Sequence, residues 1–173
     1  LLTQWRTTPV AVDWNKDGLM DQVMLDQAGY LAFFERAKVG ERLVLQAPQR
    51  VFSGENFSVT DARHGLVEKS PGLIRLNGGL AGKSGRRKLC VVDWDGDGRL
   101  DLLVNSANAN FLKQTEVRDG KFHFHDQGLL VHENIEGHDV SPTTVDFNGD
   151  GVRDFLGGAE DGRFYYLRNP RTK

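Results

Sequence analysis

The stretch Val92-Asp93-Trp94-Asp95-Gly96-Asp97-Gly98-Arg99-Leu100-Asp101 decides how the rest of this chain is read. Carboxylates stand at alternate positions from Asp93 to Asp97 and again at the ninth loop position, Asp101. The shape recurs upstream as Val12-Asp13-Trp14-Asn15-Lys16-Asp17-Gly18-Leu19-Met20-Asp21. It recurs downstream as Val145-Asp146-Phe147-Asn148-Gly149-Asp150-Gly151-Val152-Arg153-Asp154. Oxygen ligands at every second position, then a glycine, then a closing Asp, are what a short loop needs to wrap a hard cation such as calcium. An oxygen-only donor set argues against zinc or copper.

An EF-hand shares the opening of this pattern, but it needs a bidentate Glu at loop position 12 and a helix on each side. Position 12 here is Met24, Val104 and Gly157, and the flanks are β-branched or aromatic with a period of two. Acidic turns without metal are the plainer alternative, since Asp, Asn and Gly favour turns for local reasons. Four carboxylates within nine residues repel one another, however, and a turn does not require them. The aromatic at the second position, Trp14, Trp94 or Phe147, alternates with the ligands, so it points away from an ion and toward a packing interface.

Outward from the loops the chain reads as short strands. Pro9 to Val12 enters the first loop, Gln22 to Leu25 leaves it, Tyr30 to Glu35 follows, and Leu43 to Phe52 is expected to contain a fourth strand. Lys88 to Val92 and Leu102 to Val104 flank the second loop. Asn110 to Val117 then turns at Asp119-Gly120 into Lys121 to His125. Val140 to Val145, Phe155 to Gly157 and Arg163 to Leu167 make a third unit with no fourth strand. The loops begin 80 and 53 residues apart, and four short strands in about 50 residues is the signature of a propeller blade. The expected architecture is all-β, a single propeller fragment over 1–173 with blades at about 9–53, 88–127 and 138–169. The Gly-rich, basic stretch 54–87 reads as an insertion between blades.

These three motifs resemble the FG-GAP/VCBS repeats of integrin α-subunit-type β-propellers. The resemblance implies calcium in the hairpin between the first two strands of each blade, up to three ions in all, and an extracellular, secreted or cell-surface setting. Carried onto this sequence, it implies side-chain ligands Asp13, Asn15, Asp17 and Asp21; Asp93, Asp95, Asp97 and Asp101; and Asp146, Asn148, Asp150 and Asp154. The backbone carbonyls of Leu19, Arg99 and Val152 would each add one oxygen. Lys16 stands where the family has a small residue, which makes the first loop the departure from pattern. Propellers close with four to eight blades, so the remainder is expected from the same or another chain.

The acidic loops hold ten of the 24 Asp and Glu residues, so the overall charge of −2 conceals a basic surplus elsewhere. Bound divalent ions would make the whole positive and suited to acidic partners. Cys90 is the only cysteine, in an apolar run, which excludes an internal disulfide and reads as a small buried hydrophobe. No apolar run of about 18 residues is present, so no membrane span is expected. No leader is visible, and the opening Leu1 leaves room for upstream residues. Nucleic acid is not an expected partner, since no aromatic and basic interleaving marks a recognition strand.

Two functions of different class fit. One is a calcium-stabilised binding or scaffold module that recognises a glycan or protein through inter-blade loops. The other is a polysaccharide lyase on acidic substrates, with Arg63 to hold a uronate carboxylate and His64 to move a proton. His123 and His125 share a strand face and could hold a metal together, but they read as strand-edge polar positions; His132 and His138 have no recognised ligand spacing, and Gly78 to Ser84 lacks the first glycine of a phosphate loop.

Overall fold

The alternating residues on either side of each acidic loop become an antiparallel pair. The computed structural model describes residues 3–4, 6–55, 60–61, 65–66, 72–77, 87–135 and 140–171. β1 (Val10–Val12) enters the first loop and β2 (Asp21–Leu25) leaves it, with Val12 opposite Asp21. β3 (Leu31–Phe34) returns along β2. β4 (Arg36–Val39) and β5 (Arg42–Leu45) form a hairpin of their own. Then come β6 (Phe52–Glu55), the isolated pair β7 (Thr60–Asp61) and β8 (Gly65–Leu66), and β9 (Gly72–Leu73).

β10 (Leu89–Val92) and β11 (Asp101–Asn105) flank the second loop, with Val92 opposite Asp101. β12 (Ala109–Arg118) and β13 (Lys121–Leu129) meet at Asp119-Gly120, whose φ angles of 51° and 69° are those a two-residue hairpin turn demands. β14 (Ser141–Val145), β15 (Asp154–Gly158) and β16 (Phe164–Leu167) make the third unit, with Val145 opposite Asp154. The described residues contain no helix, and so none long and apolar enough to cross a membrane.

The expected fourth strand within Leu43 to Phe52 does not join the first sheet: the chain there supplies the end of β5 and the start of β6, and neither pairs with β3. Gly40 sits at φ 62° and opens a two-residue turn, so Arg42–Leu45 pairs locally with Arg36–Val39 and stands in solvent. The edge beside β3 is assembled instead from separate pieces: Phe33 bridges Gln49, and the amide of Leu31 donates to Ile74 O at 2.9 Å. β6 departs further, pairing parallel with β13 of the second unit and antiparallel with β9. Residues 72–76 thus tie the outer edge of the second sheet to that of the first.

The three sheets stack face to face. Between the first and second lie Val23, Leu25, Leu31, Leu102, Val104 and Phe124, with Phe52, Ile74 and Leu76 from the connecting segment. Between the second and third lie Val92, Leu103, Ala109, Ile135, Val140 and Phe155. β11 is buried at all five positions, because its alternate side chains serve opposite interfaces. The first strands come together, with β10 against both β1 and β14.

Phe52 is fully buried and meets Trp14 edge-on at 5.0 Å between centroids, whereas Leu43 lies on the exposed hairpin. Phe52→Ala should therefore cost about 3–5 kcal/mol in denaturant unfolding. Leu43→Ala should stay within about 0.5 kcal/mol.

Candidate metal centre

Each acidic loop is wound around its first aspartate. Asp93 accepts the amides of Gly96 at 2.7 Å and Gly98 at 3.1 Å, one on each oxygen. Asp146 accepts Gly149 at 2.8 Å and Gly151 at 2.9 Å. Asp13 accepts Asp17 and Gly18, both at 3.0 Å. The third and fifth positions then each accept the amide two residues on. Asn15 accepts Asp17, Asp95 accepts Asp97, Asn148 accepts Asp150, and the fifth-position Asp accepts Leu19, Arg99 or Val152. These bonds orient the oxygens along the inside of one turn. Among the described residues no hydrogen bond ends on the carbonyl oxygens of Leu19, Arg99 or Val152.

The fourth position is left-handed in all three loops, at φ 61° for Lys16, 78° for Gly96 and 77° for Gly149. This is why the sequence favours glycine there, and why Lys16 fits the pattern only under strain. Gly96 has a second constraint, since a Cβ would overlap the Arg171 guanidinium that lies against the loop.

The ninth-position aspartates do something the sequence did not reveal. Asp21, Asp101 and Asp154 are wholly buried. One oxygen of each accepts a backbone amide from the third strand's continuation: Arg36, Gln114 or Asn169, each at 2.8 Å. The other oxygen accepts Trp14 N at 3.1 Å or Trp94 N at 3.0 Å, and in the third unit the Tyr166 hydroxyl at 3.2 Å. Each thus clamps loop to sheet. A spacing pattern shows the Asp but not the distant amide it serves.

The second loop is where carboxylates converge. Oxygens of Asp93, Asp95 and Asp101 all lie within 4.8 Å of one another. Burial, then the charges of Asp95 and Asp97, push Asp101 up to about 6, against the two amides that favour its ionised form. Asp97 is held below its ordinary range: slight burial opposes this, but the Arg99 amide, Lys113 and Arg99 outweigh it. Lys113 reaches in from β12, its ammonium on Asp95 and 3.1 Å from Asp97. Its hydrogen bonds to Asp95 and Asp97 raise its own value. Asp93, Asp95 and Asp101 could together hold a cation, and hard oxygen donors of this kind suit calcium.

The other candidates separate clearly. Arg63 and His64 lie outside the described residues, as do Gly78 to Ser84. His123 bonds Ser53 Oγ at 3.0 Å and His125 bonds Gln127 at 2.9 Å, so each imidazole has its own partner. Cys90 is partly buried with Sγ 3.7 Å from Thr144 Oγ1, and burial raises its thiol, which suits an unreactive packing role.

With this geometry in view, comparison with known protein families finds a match. The family model described as FG-GAP-like repeat matches residues 93–157, from the first aspartate of the second loop into β15. No curated protein matches the chain.

In calcium-free buffer, the Asp101 carboxyl carbon should titrate in NMR with a midpoint near 6. Its folded value lies above the ordinary 3.8, so the fold prefers the protonated form. This group's contribution to stability therefore falls as pH rises from about 4 to about 6 and stays low above that. Calcium should lower that midpoint, since a bound cation favours the ionised form. Separately, Lys16→Gly relieves a left-handed lysine and should raise unfolding stability by up to about 1 kcal/mol, measured in chelator.

Proposed function

We propose that the repeat carried on residues 93–157, with its counterpart around the first loop, makes this chain a calcium-stapled part of a β-propeller. In this reading it works outside the cell as a binding or scaffold module and recognises a glycan or a protein through the edges between sheets. Calcium fixes hairpins that have little core of their own.

One observation carries the propeller reading. Val12, Trp14 and Val23 hold equivalent places in the first unit to Val92, Trp94 and Leu103 in the second, and in each case the next sheet covers them. The equivalent set in the third unit is Val145, Phe147 and Leu156, where Phe147 is 64% exposed and, among the described residues, stacks only on Tyr166 at 5.0 Å. Phe164, on the same face, is 80% exposed. A stack whose leading face repeats an interface already used twice calls for a further sheet of the same kind, from this chain or another. Bare apolar surface of this sort otherwise favours association.

The binding reading draws on the cleft where the second and third sheets diverge. It measures about 490 Å³ and is lined by Trp94, Phe111, Leu129, Leu167, Arg168 and Arg171 among others. An aromatic and aliphatic floor beside two guanidiniums suits a sugar ring or peptide side chain bearing a carboxylate. Asn169 fixes this cleft to the second loop by donating to Trp94 O at 3.0 Å.

Chelation should lower the melting temperature by several degrees, because an ion bound only by the folded state stabilises it by mass action. Binding to an immobilised panel of acidic glycans should be lost with it. An EDTA-insensitive melt would overturn the staple role, and glycan-independent behaviour across the panel would leave protein ligands as the binding partner.

A further inference from the structure

At one position the three units carry opposite charges. The residue just before the clamped amide is Glu35 in the first unit, Lys113 in the second and Arg168 in the third. Each reaches its own acidic loop. Glu35 accepts from Asn15 Nδ2 at 3.3 Å, Lys113 holds Asp95 and Asp97, and Arg168 lies 3.4 Å from Asp150.

Lys113 is the closest of the three. The loop's own amides take Asp95 Oδ1 and Asp97 Oδ1. Asp95 Oδ2 and Asp97 Oδ2 are what remain for a cation, and these are the atoms the Lys113 ammonium holds. Arg99 adds a guanidinium contact to Asp97 Oδ2 at 2.7 Å. The side chains of a calcium site must present their oxygens to the ion, and affinity follows the negative charge they bring. Two basic side chains on two of the four carboxylates reduce that charge and occupy the seat. The first loop is less neutralised. Among the described residues no ion pair reaches Asp13 or Asp17, Lys16 of the same loop included; Asn15 Nδ2 donates to Asp17 Oδ2 at 3.1 Å and to Glu35 at 3.3 Å, and Glu35 brings a further carboxylate beside Asn15.

We propose that Lys113 is a tethered cation that competes with calcium for the second loop, so that this loop, the richest in carboxylates, takes the ion more weakly than the first. The inference rests on the calcium reading above. Lys113 lies at the end of a flexible stem on a strand, and an incoming ion must turn its ammonium back into solvent. The attraction it gives up is electrostatic, so the competition weakens as ionic strength rises.

Three amides report on the three loops independently. Gly18, Gly98 and Gly151 each donate to the first aspartate of their own loop. Calcium titration of the ¹⁵N-labelled chain at low salt should move Gly18 at a calcium concentration at least tenfold below that needed for Gly98. Lys113→Met should lower the Gly98 midpoint about tenfold and leave Gly18 unmoved. Lys113→Gln, which keeps a polar chain at this partly exposed site, should do the same, and Lys113→Arg should leave Gly98 near the original midpoint. Equal filling of Gly18 and Gly98, or a Gly98 midpoint indifferent to Met and Gln, overturns the role of Lys113 while leaving calcium binding intact. Silence at all three glycines overturns both.

Discussion

In each unit a carboxylate with no exposed surface is held by amides rather than by a positive charge. Asp21, Asp101 and Asp154 each accept the third strand's amide on one oxygen. Burying an ionised group is costly unless its hydrogen-bonding capacity is met, and oriented amides meet it without introducing a mobile side chain. The clamp thereby binds the loop to a strand that follows it by more than a dozen residues. The acidic loop is not free to choose its shape, because its end is fixed to the sheet. At Asp101 the compensation is incomplete: burial first, and then the charges of Asp95 and Asp97, push the group up to about 6. The residual cost is electrostatic, which is the kind of cost a cation removes.

Fixing the ninth position also fixes the second. In the first two units the clamp's other oxygen takes the tryptophan amide, so Trp14 and Trp94 are aimed at the following sheet. Trp14 packs on Phe52 and Phe122, and Trp94 sits with Phe155 and Val140. In the third unit the Tyr166 hydroxyl replaces that amide, and Phe147 turns onto the Tyr166 ring in solvent. The same aspartate that shapes the loop therefore also orients the interface between units. Loop and stack are one construction, so strain in a loop reaches the packing of the next sheet.

What could be read from the sequence follows from range. The loops, the strand on each side and the Asp119-Gly120 hairpin rest on local chemistry, and they stand where the pattern put them. The hairpin of Arg36–Val39 with Arg42–Leu45 is also local, but an apolar Leu43-Val44-Leu45 resembles a buried strand unless Gly40 is weighed as a turn. The parallel pairing of β6 with β13 joins residues 70 apart and leaves no periodic trace. The site divides the same way. Oxygen positions along a loop are a spacing, whereas the partners of Asp21, Asp101 and Asp154 are set by sheet register, and so are Glu35, Lys113 and Arg168. In a one-dimensional pattern they are only charged residues on a strand or just past its end.

That distinction reverses an intuitive ranking. Counted along the chain, the second loop has the most carboxylates and the greatest need of an ion. Counted in space, it is the loop to which the sheet delivers Lys113 and beside which Arg99 and Arg171 lie. The first loop has one fewer acidic residue in its own sequence, yet the sheet brings it Glu35. Charge has moved between loop and strand while the position that carries it has stayed constant. On the proposal made for Lys113, a repeat keeps its acidic signature and changes its affinity for a cation through the one residue before the clamped amide, without altering the turn itself. The demand for metal belongs to the loop and the strand together, and only the fold assigns each loop its strand.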